Sequence, residues 1–331
     1  MQRFPIIPTI GMPTIRIPTL RRQWIRRLTT RRAVIACLSL IVATAAMGDG
    51  TATTDQESSE IRITANQRYS DSEGRAGLCD VFSPAGPPPP TGYPAVIVVH
   101  GGGWISGDKW TVAGYSRMLA ERGFVVISIN YRLAPTFKFP SQVDDVRSAM
   151  LWTKSHAEEW SVDLNRLGAF GYSAGGHLTA LVASLADEPI DAQAAASDWS
   201  KSDPRWTQLP KINAICVGGP PCDFRALPID NQTLAYFLGG SRREKPSVYE
   251  AASPSAHTSK ADPVTQIIHG DSDSIVPISG SKEFHAAQVA AGVDSRMQVM
   301  PQQGHMMTFM NPKTSTIVVE FFNEVLMPKS Q

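Results

Sequence analysis

The first 48 residues of this 331-residue chain contain no acid, yet they hold eight of its 31 basic residues. That leaves 23 basic against 30 acidic residues in the remainder, a balance that argues against a nucleic-acid partner for the folded part. Long hydrophobic runs are also missing. The longest, Ala33–Ala46, has 14 residues, which suits a signal-peptide core and falls short of a membrane span. Cysteine is scarce, with four in all, and no pair has zinc-ligand spacing supported by nearby histidines; no metal and no cofactor is expected. There is no G-x-x-x-x-G-K-[ST] run, which removes the phosphate-binding loop from consideration. Apolar residues make up 42% and charged residues 18%, so the bulk of the chain has the composition to fold around a core.

Residues 1–48 read as a targeting segment. Arg21, Arg22, Arg26, Arg27, Arg31 and Arg32 precede the apolar run, and Ala43-Thr44-Ala45 supplies a small-x-small cleavage pattern. Thr30-Arg31-Arg32 followed by Val34-Ile35 resembles a twin-arginine signal. Val34-Ile35-Ala36-Cys37 has the look of a lipoprotein box, but almost nothing apolar precedes it, so no lipid anchor and no stable membrane anchor is expected. The five-residue repeat Ile7-Pro8-Thr9-Ile10, Met12-Pro13-Thr14-Ile15, Ile17-Pro18-Thr19-Leu20 has no core to build; the expectation is translated upstream sequence, with Met12 or a later codon as the start. Residues 49–59 are a small, polar, acidic linker, and residues 60–328 the folded domain. Cleavage removes Cys37, leaving Cys216 and Cys222 as candidates for a bridge in an oxidising compartment.

Within the domain, short apolar runs alternate with helical stretches. Ala95–Val99, Phe124–Ile129, Leu167–Phe170, Ile212–Val217, Val264–Ile268 and Arg296–Met300 read as strands, mostly unbroken apolar runs that suit a parallel sheet buried on both faces. Thr111–Glu121, Pro140–Glu159, Ala174–Ala186, Ser279–Ala291 and Ser315–Leu326 read as helices, with Val143, Val146, Met150, Leu151 and Lys154 as one stripe. Arg62–Tyr69 and Gly77–Phe82 read as an antiparallel edge hairpin. The fold class predicted is a doubly wound α/β domain. Asp187–Pro210 and Gly218–Asp262 are too long for simple connections and are expected to form a small partial cap.

Three motifs fall at the carboxyl ends of these strands, where open α/β sheets bind ligands. In Gly171-Tyr172-Ser173-Ala174-Gly175, the strand-to-helix turn strains the serine backbone, and the flanking glycines let strand and helix approach. Ser173 is therefore the candidate nucleophile, at a helix N-terminus that favours developing negative charge. In His100-Gly101-Gly102-Gly103-Trp104, consecutive glycines expose backbone amides; Gly102 and Gly103 are expected to join Ala174 as an oxyanion hole. A serine needs a base, and the base an acid. His305 follows the last strand by a short loop, and His269-Gly270-Asp271-Ser272-Asp273 follows the one before it, giving the chain order serine, aspartate, histidine. His100 and His177 read as structural groups packed beside the site. Trp104 and Tyr172 are candidate aromatic walls of the substrate pocket, or core packing.

His100–Trp104, Asn130-Tyr131-Arg132-Leu133-Ala134-Pro135, Gly171–Gly176 and His269–Pro277 together resemble the esterase/lipase group of α/β-hydrolases. That group includes hormone-sensitive-lipase relatives and bacterial feruloyl and acetyl-xylan esterases, and the resemblance spans roughly Cys79–Leu326. It implies the α/β-hydrolase fold and hydrolysis of carboxylic esters. It also implies that the acid is the aspartate four residues before Pro277, namely Asp273, with Asp271 the lesser candidate, and that Asp145 is structural. Hormone-sensitive-lipase relatives commonly carry Asp before the nucleophile. Tyr172 here points instead to the branch acting on polysaccharide esters, with acetyl or feruloyl groups. Prolyl-oligopeptidase-like peptidases carry a large N-terminal propeller, whereas fewer than 60 residues precede the first strand here. Arylformamidases share the His-Gly-Gly loop but serve cytosolic metabolism, and an intact set of catalytic residues disfavours a binding protein on an inactive hydrolase fold. Export predicts a mature N-terminus close to Ala46, read by mass spectrometry of the native protein; an intact N-terminus in the cytosol would overturn it.

Overall fold

A computed structural model of the chain describes residues 60–227, 229 and 231–327. The expected targeting segment, its cleavage site, the repeats and the linker lie outside these residues. The chain runs β1 (Ile61–Arg68), β2 (Leu78–Pro84), β3 (Tyr93–Val99), α1 (Ala113–Ala120), β4 (Val125–Ile129), α2 (Ser141–Ser155), β5 (Val162–Tyr172) and α3 (Ala174–Ser184). It continues through α4 (Ile190–Ala195), β6 (Ala214–Gly218), α5 (Gln232–Leu238), α6 (Pro246–Ala251), β7 (Val264–Gly270), α7 (Ile278–Ala291), β8 (Ser295–Met300), α8 (His305–Met310) and α9 (Pro312–Leu326). Eight strands form one sheet in the order β1-β2-β4-β3-β5-β6-β7-β8. β1 and β2 are the antiparallel hairpin, β2 pairs antiparallel with β4, and the remaining neighbours are parallel. This is the α/β-hydrolase architecture.

The central strands β3, β4 and β6, with most of β7, are buried on both faces, which is why they read as unbroken apolar runs, whereas the edge strands β1 and β8 are half-buried or exposed. On β3, Ala95, Ile97 and Val99 join one core with Val143 and Val146 of α2, Leu178 and Leu181 of α3 and Phe284 of α7. Val96 and Val98 join the other, with Tyr115 and Leu119 of α1 and Val318, Phe322 and Leu326 of α9. Two cysteines are likewise divided between these cores. Cys216 on β6 points into the second core, whereas Cys222 packs in the first. Both are free, as is Cys79, so the two candidates for a bridge are thiols in separate cores.

Other boundaries moved for local reasons. The helix expected to reach Glu159 stops at Ser155, where Ser155 Oγ and the His156 amide both donate to the Trp152 carbonyl. Lys154 is exposed and reaches the Gln208 carbonyl, so it is not part of the buried stripe. β5 begins five residues before the expected Leu167, because Asp163 and Arg166 pair with each other at its polar start. Of the two long segments expected to cap the site, 218–262 contributes α5, whose Thr233 lies beside Gly103. Residues 187–210 fasten instead to α2: Arg147 donates to the Ala196 carbonyl, and the Asp198 amide donates to Asp144.

Backbone packs closely where α3 leaves β5 and passes the end of β3. A Cβ added at Gly175 would overlap the Val99 carbonyl oxygen, and one at Gly171 would overlap the Gly175 carbonyl. Gly175→Ala is therefore expected to destabilise the fold by about 1–3 kcal/mol or more, the range for overpacking a close-packed interior. Urea unfolding of the purified variant measures this; an unchanged midpoint would contradict the contact.

Candidate active site

Ser173 sits between β5 and α3 with φ 57° and ψ −121°, in the left-handed region of φ that a β-carbon disfavours. Two contacts hold it there: its amide donates to the Gly218 carbonyl at 2.7 Å, and its carbonyl accepts from His177 at 2.9 Å. The glycine loop passes directly alongside, since a Cβ on Gly101 would lie 3.3 Å from Ser173 Cβ. Gly102 and Gly103 have φ of 122° and 61°, conformations glycine adopts without strain. Ile105 and Ser106 close the loop by donating their amides to the Gly102 carbonyl at 3.2 and 3.1 Å. The amides of Gly102 and Gly103 have no acceptor among the described residues, and that of Ala174 opens α3, where no intrahelical partner exists.

The motif following β4 braces this loop. Tyr131 stacks on His100 with ring centroids 4.2 Å apart and donates to its carbonyl, and the Ala134 amide donates to the Trp104 carbonyl at 2.9 Å. Asn130 accepts from the Lys109 amide at 2.7 Å and donates to Asp108, which also pairs with Arg75. Asp145 takes the Arg132 amide and guanidinium at 2.7 and 2.9 Å, a structural role.

At the ends of β7 and β8 the structure brings Asp273 and His305 together, with His305 Nδ1 2.6 Å from Asp273 Oδ2. The Asp273 side chain is wholly buried. Its Oδ1 accepts from the amides of Ile275 and Val276, both at 2.9 Å, and Oδ2 is also 3.2 Å from His269 Nε2. Burial pushes its carboxyl up, but these hydrogen bonds and His305 outweigh it and hold the group below the usual carboxylate value. Asp271 is exposed and spent elsewhere, accepting from the Gln302 amide at 2.7 Å and from Ser272 Oγ. His305 opens α8, and the Tyr172 hydroxyl donates to its carbonyl at 2.7 Å. Gly219, with φ 53°, passes the His305 ring so closely that a Cβ there would lie 2.9 Å from it. No hydrogen bond joins Ser173 Oγ to His305 among the described residues.

A family model named BD-FAE matches residues 79–287. The chain belongs to the BD-FAE family. The matched stretch contains Gly102, Gly103, Ser173 and Asp273, while His305 lies beyond its end. Esterase LipC of Mycobacterium tuberculosis is 29% identical over 253 residues, covering 72% of this chain and 60% of that protein. The chain thus spans about 60% of the length of the first curated relatives it matches. Arylacetamide deacetylase of Bos taurus is 46% identical over 100 residues, 28% of this chain and 25% of that one. Among solved structures, a truncated carbohydrate esterase from gut microbiota superposes with a TM-score of 0.72 at 24% identity, covering 82% of this chain and 98% of the other. At that identity the likeness speaks for the fold.

This BD-FAE chain packs Trp104 and Tyr172, candidates for pocket walls or for core packing, into its core. Trp104 is 5% exposed and stacks on Phe237 at 4.5 Å, and Tyr172 is 3% exposed, edge-on to His305. The exposed apolar side chains nearest the site residues in sequence are Ile105, Ile275, Met306 and Met307. Two supports have no role in the sequence reading: His269, present there only as the first residue of its motif, and the Gly218-Gly219 pair, whose signal is its place just after an apolar run. A cavity of about 1070 Å³ runs along α2 beside Trp152 and Trp199 and includes neither Ser173 nor His305.

His177 lies under the nucleophile turn, fully buried. Trp104 Nε1 donates to its Nδ1 at 3.2 Å, and its Nε2 donates to the Ala252 carbonyl at 2.8 Å. Burial lowers its pKa from 6.5 to about 4, so it is neutral in the fold. The unfolded chain binds this proton first, so the stabilisation present above pH 6.5 is lost as pH falls towards 4. The stability gap between the wild type and His177→Phe is expected to narrow by about 1 kcal/mol per pH unit between pH 6 and 5. Urea unfolding across that range tests it, and a constant gap would mean that His177 is not held neutral.

Proposed function

We propose that the chain hydrolyses carboxylic esters through a covalent acyl-enzyme. Ser173 attacks the carbonyl carbon as His305 takes its proton. Asp273 holds the imidazole in the Nδ1–H tautomer and stabilises the imidazolium. Negative charge on the former carbonyl oxygen is met by the amides of Gly102, Gly103 and Ala174, each donor worth about 3–4 kcal/mol of barrier by analogy with measured oxyanion holes. His305 then returns the proton to the leaving alcohol, and water, activated by the same imidazole, releases the acid. The observation that carries this reading is the buried Asp273–His305 contact of 2.6 Å at the same sheet edge as the strained Ser173.

Small acyl groups, acetyl or feruloyl on plant or algal polysaccharides, are the substrates favoured. Support comes from Tyr172 before the nucleophile and from the carbohydrate esterase among the structural neighbours. Export to the periplasm or beyond rests on the arginine-flanked apolar run and would bring the enzyme to such polymers. The arylacetamide deacetylase similarity over 100 residues favours a second reading, cleavage of an aryl amide by the same groups.

One kinetic series tests the assignment, using acetyl, butyryl and feruloyl esters, an acetylated glycan and an aryl acetamide. Ser173→Ala is expected to lose nearly all turnover while staying folded; retention of more than about a tenth of kcat, a loss under ~1.4 kcal/mol, would remove Ser173 as nucleophile. In the same series Asp273→Asn is expected to fall by up to about 10⁴-fold, and Asp271→Asn to stay within about tenfold, its loss being loop order. The reverse ranking would reassign the acid, and preference for the amide would select the second reading.

A further inference from the structure

Asp273 is met by two imidazoles, and the mechanism above uses one. His269, fully buried at the end of β7, places Nε2 3.0 Å from the Val276 carbonyl and 3.2 Å from Asp273 Oδ2. A carbonyl and a carboxylate only accept, so Nε2 carries the ring proton and directs it between them. Nδ1 is then the bare nitrogen, 2.8 Å from Ser281 Oγ, which donates to it; the Pro220 carbonyl, 3.2 Å from the same hydroxyl, is the more distant acceptor. Burial lowers the proton affinity of this ring. The titratable groups facing it are Asp273 and His305, with the Cys222 thiol beyond Ser281.

We propose that His269 is a positioning residue for the catalytic pair, its Nε2–H sharing Asp273 Oδ2 with His305 so that the carboxylate is fixed in place and part of its charge is drawn away from His305. This rests on the reading of Ser173, His305 and Asp273 given above. The ladder is continuous: Val276 donates its amide to Oδ1 and accepts from His269, so carboxylate, turn and second imidazole lock one another. The consequence concerns the proton on His305. With the His269 donor removed, the carboxylate is more negative towards His305 and retains a proton there to higher pH. A turn that merely collapsed would withdraw the carboxylate and act in the opposite direction.

The two effects are separated by a pair of variants. His269→Gln keeps an N–H donor near the Nε2 position; His269→Asn is too short and loses it. In the kcat/KM profile for an acetyl ester, the acidic limb of His269→Asn is expected to move up by about half to one pH unit. His269→Gln is expected to stay near the wild type, with KM nearly unchanged in both. A limb that stays put or moves down in His269→Asn would overturn the positioning role. Nitrogen NMR of the ¹⁵N-histidine-labelled wild-type protein provides a measurement that needs no variant to fold: Nε2 of His269 is expected to be protonated and Nδ1 bare, and the reverse would refute the proposal. Fluorophosphonate labelling of Ser173 and the activity of Asp273→Asn are measured alongside. Absent labelling or an active Asp273→Asn would bring down the underlying triad; if both behave as expected, a failure at His269 belongs to this proposal alone.

Discussion

The closeness of α3 to β3 is the constraint on which the rest of this structure hangs. Only glycine at 171 and 175 lets the helix leave β5 so abruptly that Ser173 is forced to φ 57° at the sheet edge. A side chain at either position would push the helix off the strand and relax the turn. The strain is held by packing on both sides of it, because the Ser173 amide is tied to β6 and its carbonyl to the first turn of α3. Once that corner is set, the glycine loop after β3 must pass beside it, and the loops after β7 and β8 reach the same edge. Parallel strands made this economical: their carboxyl ends all point one way, so four separate loops converge without crossing the core.

Histidine shows how the fold assigns different tasks to one side chain. His100 and His177 are buried against aromatic rings, and desolvation takes both to about 4, leaving neutral rings that brace the loop and the turn. His305 lies beside a charge at the sheet edge, with its ring flanked by Gly219 and Tyr172, which locates it without burying it in apolar surroundings on every side. The Tyr172 hydroxyl on the His305 carbonyl links the residue before the nucleophile to the first residue of α8, so the nucleophile turn and the proposed base are set by one contact.

Much of this was legible in the sequence, and what escaped has physical causes. The strands showed because burial on both faces demands unbroken apolar runs, and the glycine motifs showed because close backbone approach admits no other residue. The polar start of β5 was hidden: Asp163, Asn165 and Arg166 satisfy one another locally and break the apolar signal. Short helices such as α5 and α8 carry too few turns for a period to emerge. The positions of Trp104 and Cys222 depended on tertiary partners that no local pattern encodes. Asp273 was separated from Asp271 only by resemblance, since two aspartates two residues apart in one loop are equivalent until the backbone decides which faces inward. It is the Asp271 contact with the Gln302 amide that turns the first outward and leaves the second beneath His305.

Burial alone does not decide whether a carboxylate in this fold keeps its charge. Asp262 and Asp273 are both removed from solvent at the two ends of β7. Asp262 is met by Ser184 Oγ and Gln288 Nε2 at 3.4 Å and by the Ser259 backbone, while its Oδ1 has no partner among the described residues; burial raises its pKa to about 6. Asp273 has two amides at 2.9 Å, an imidazole at 2.6 Å and a second at 3.2 Å, and its pKa is lowered. Desolvation opposes ionisation in both, by an amount that a few well-placed donors exceed and distant ones do not. A carboxylate meant to stabilise a positive ring in a dry site must be provided with donors before the ring arrives, or it would take the proton itself. The tight turn from Asp273 to Pro277 supplies two of them from the backbone, where no side-chain motion can withdraw them.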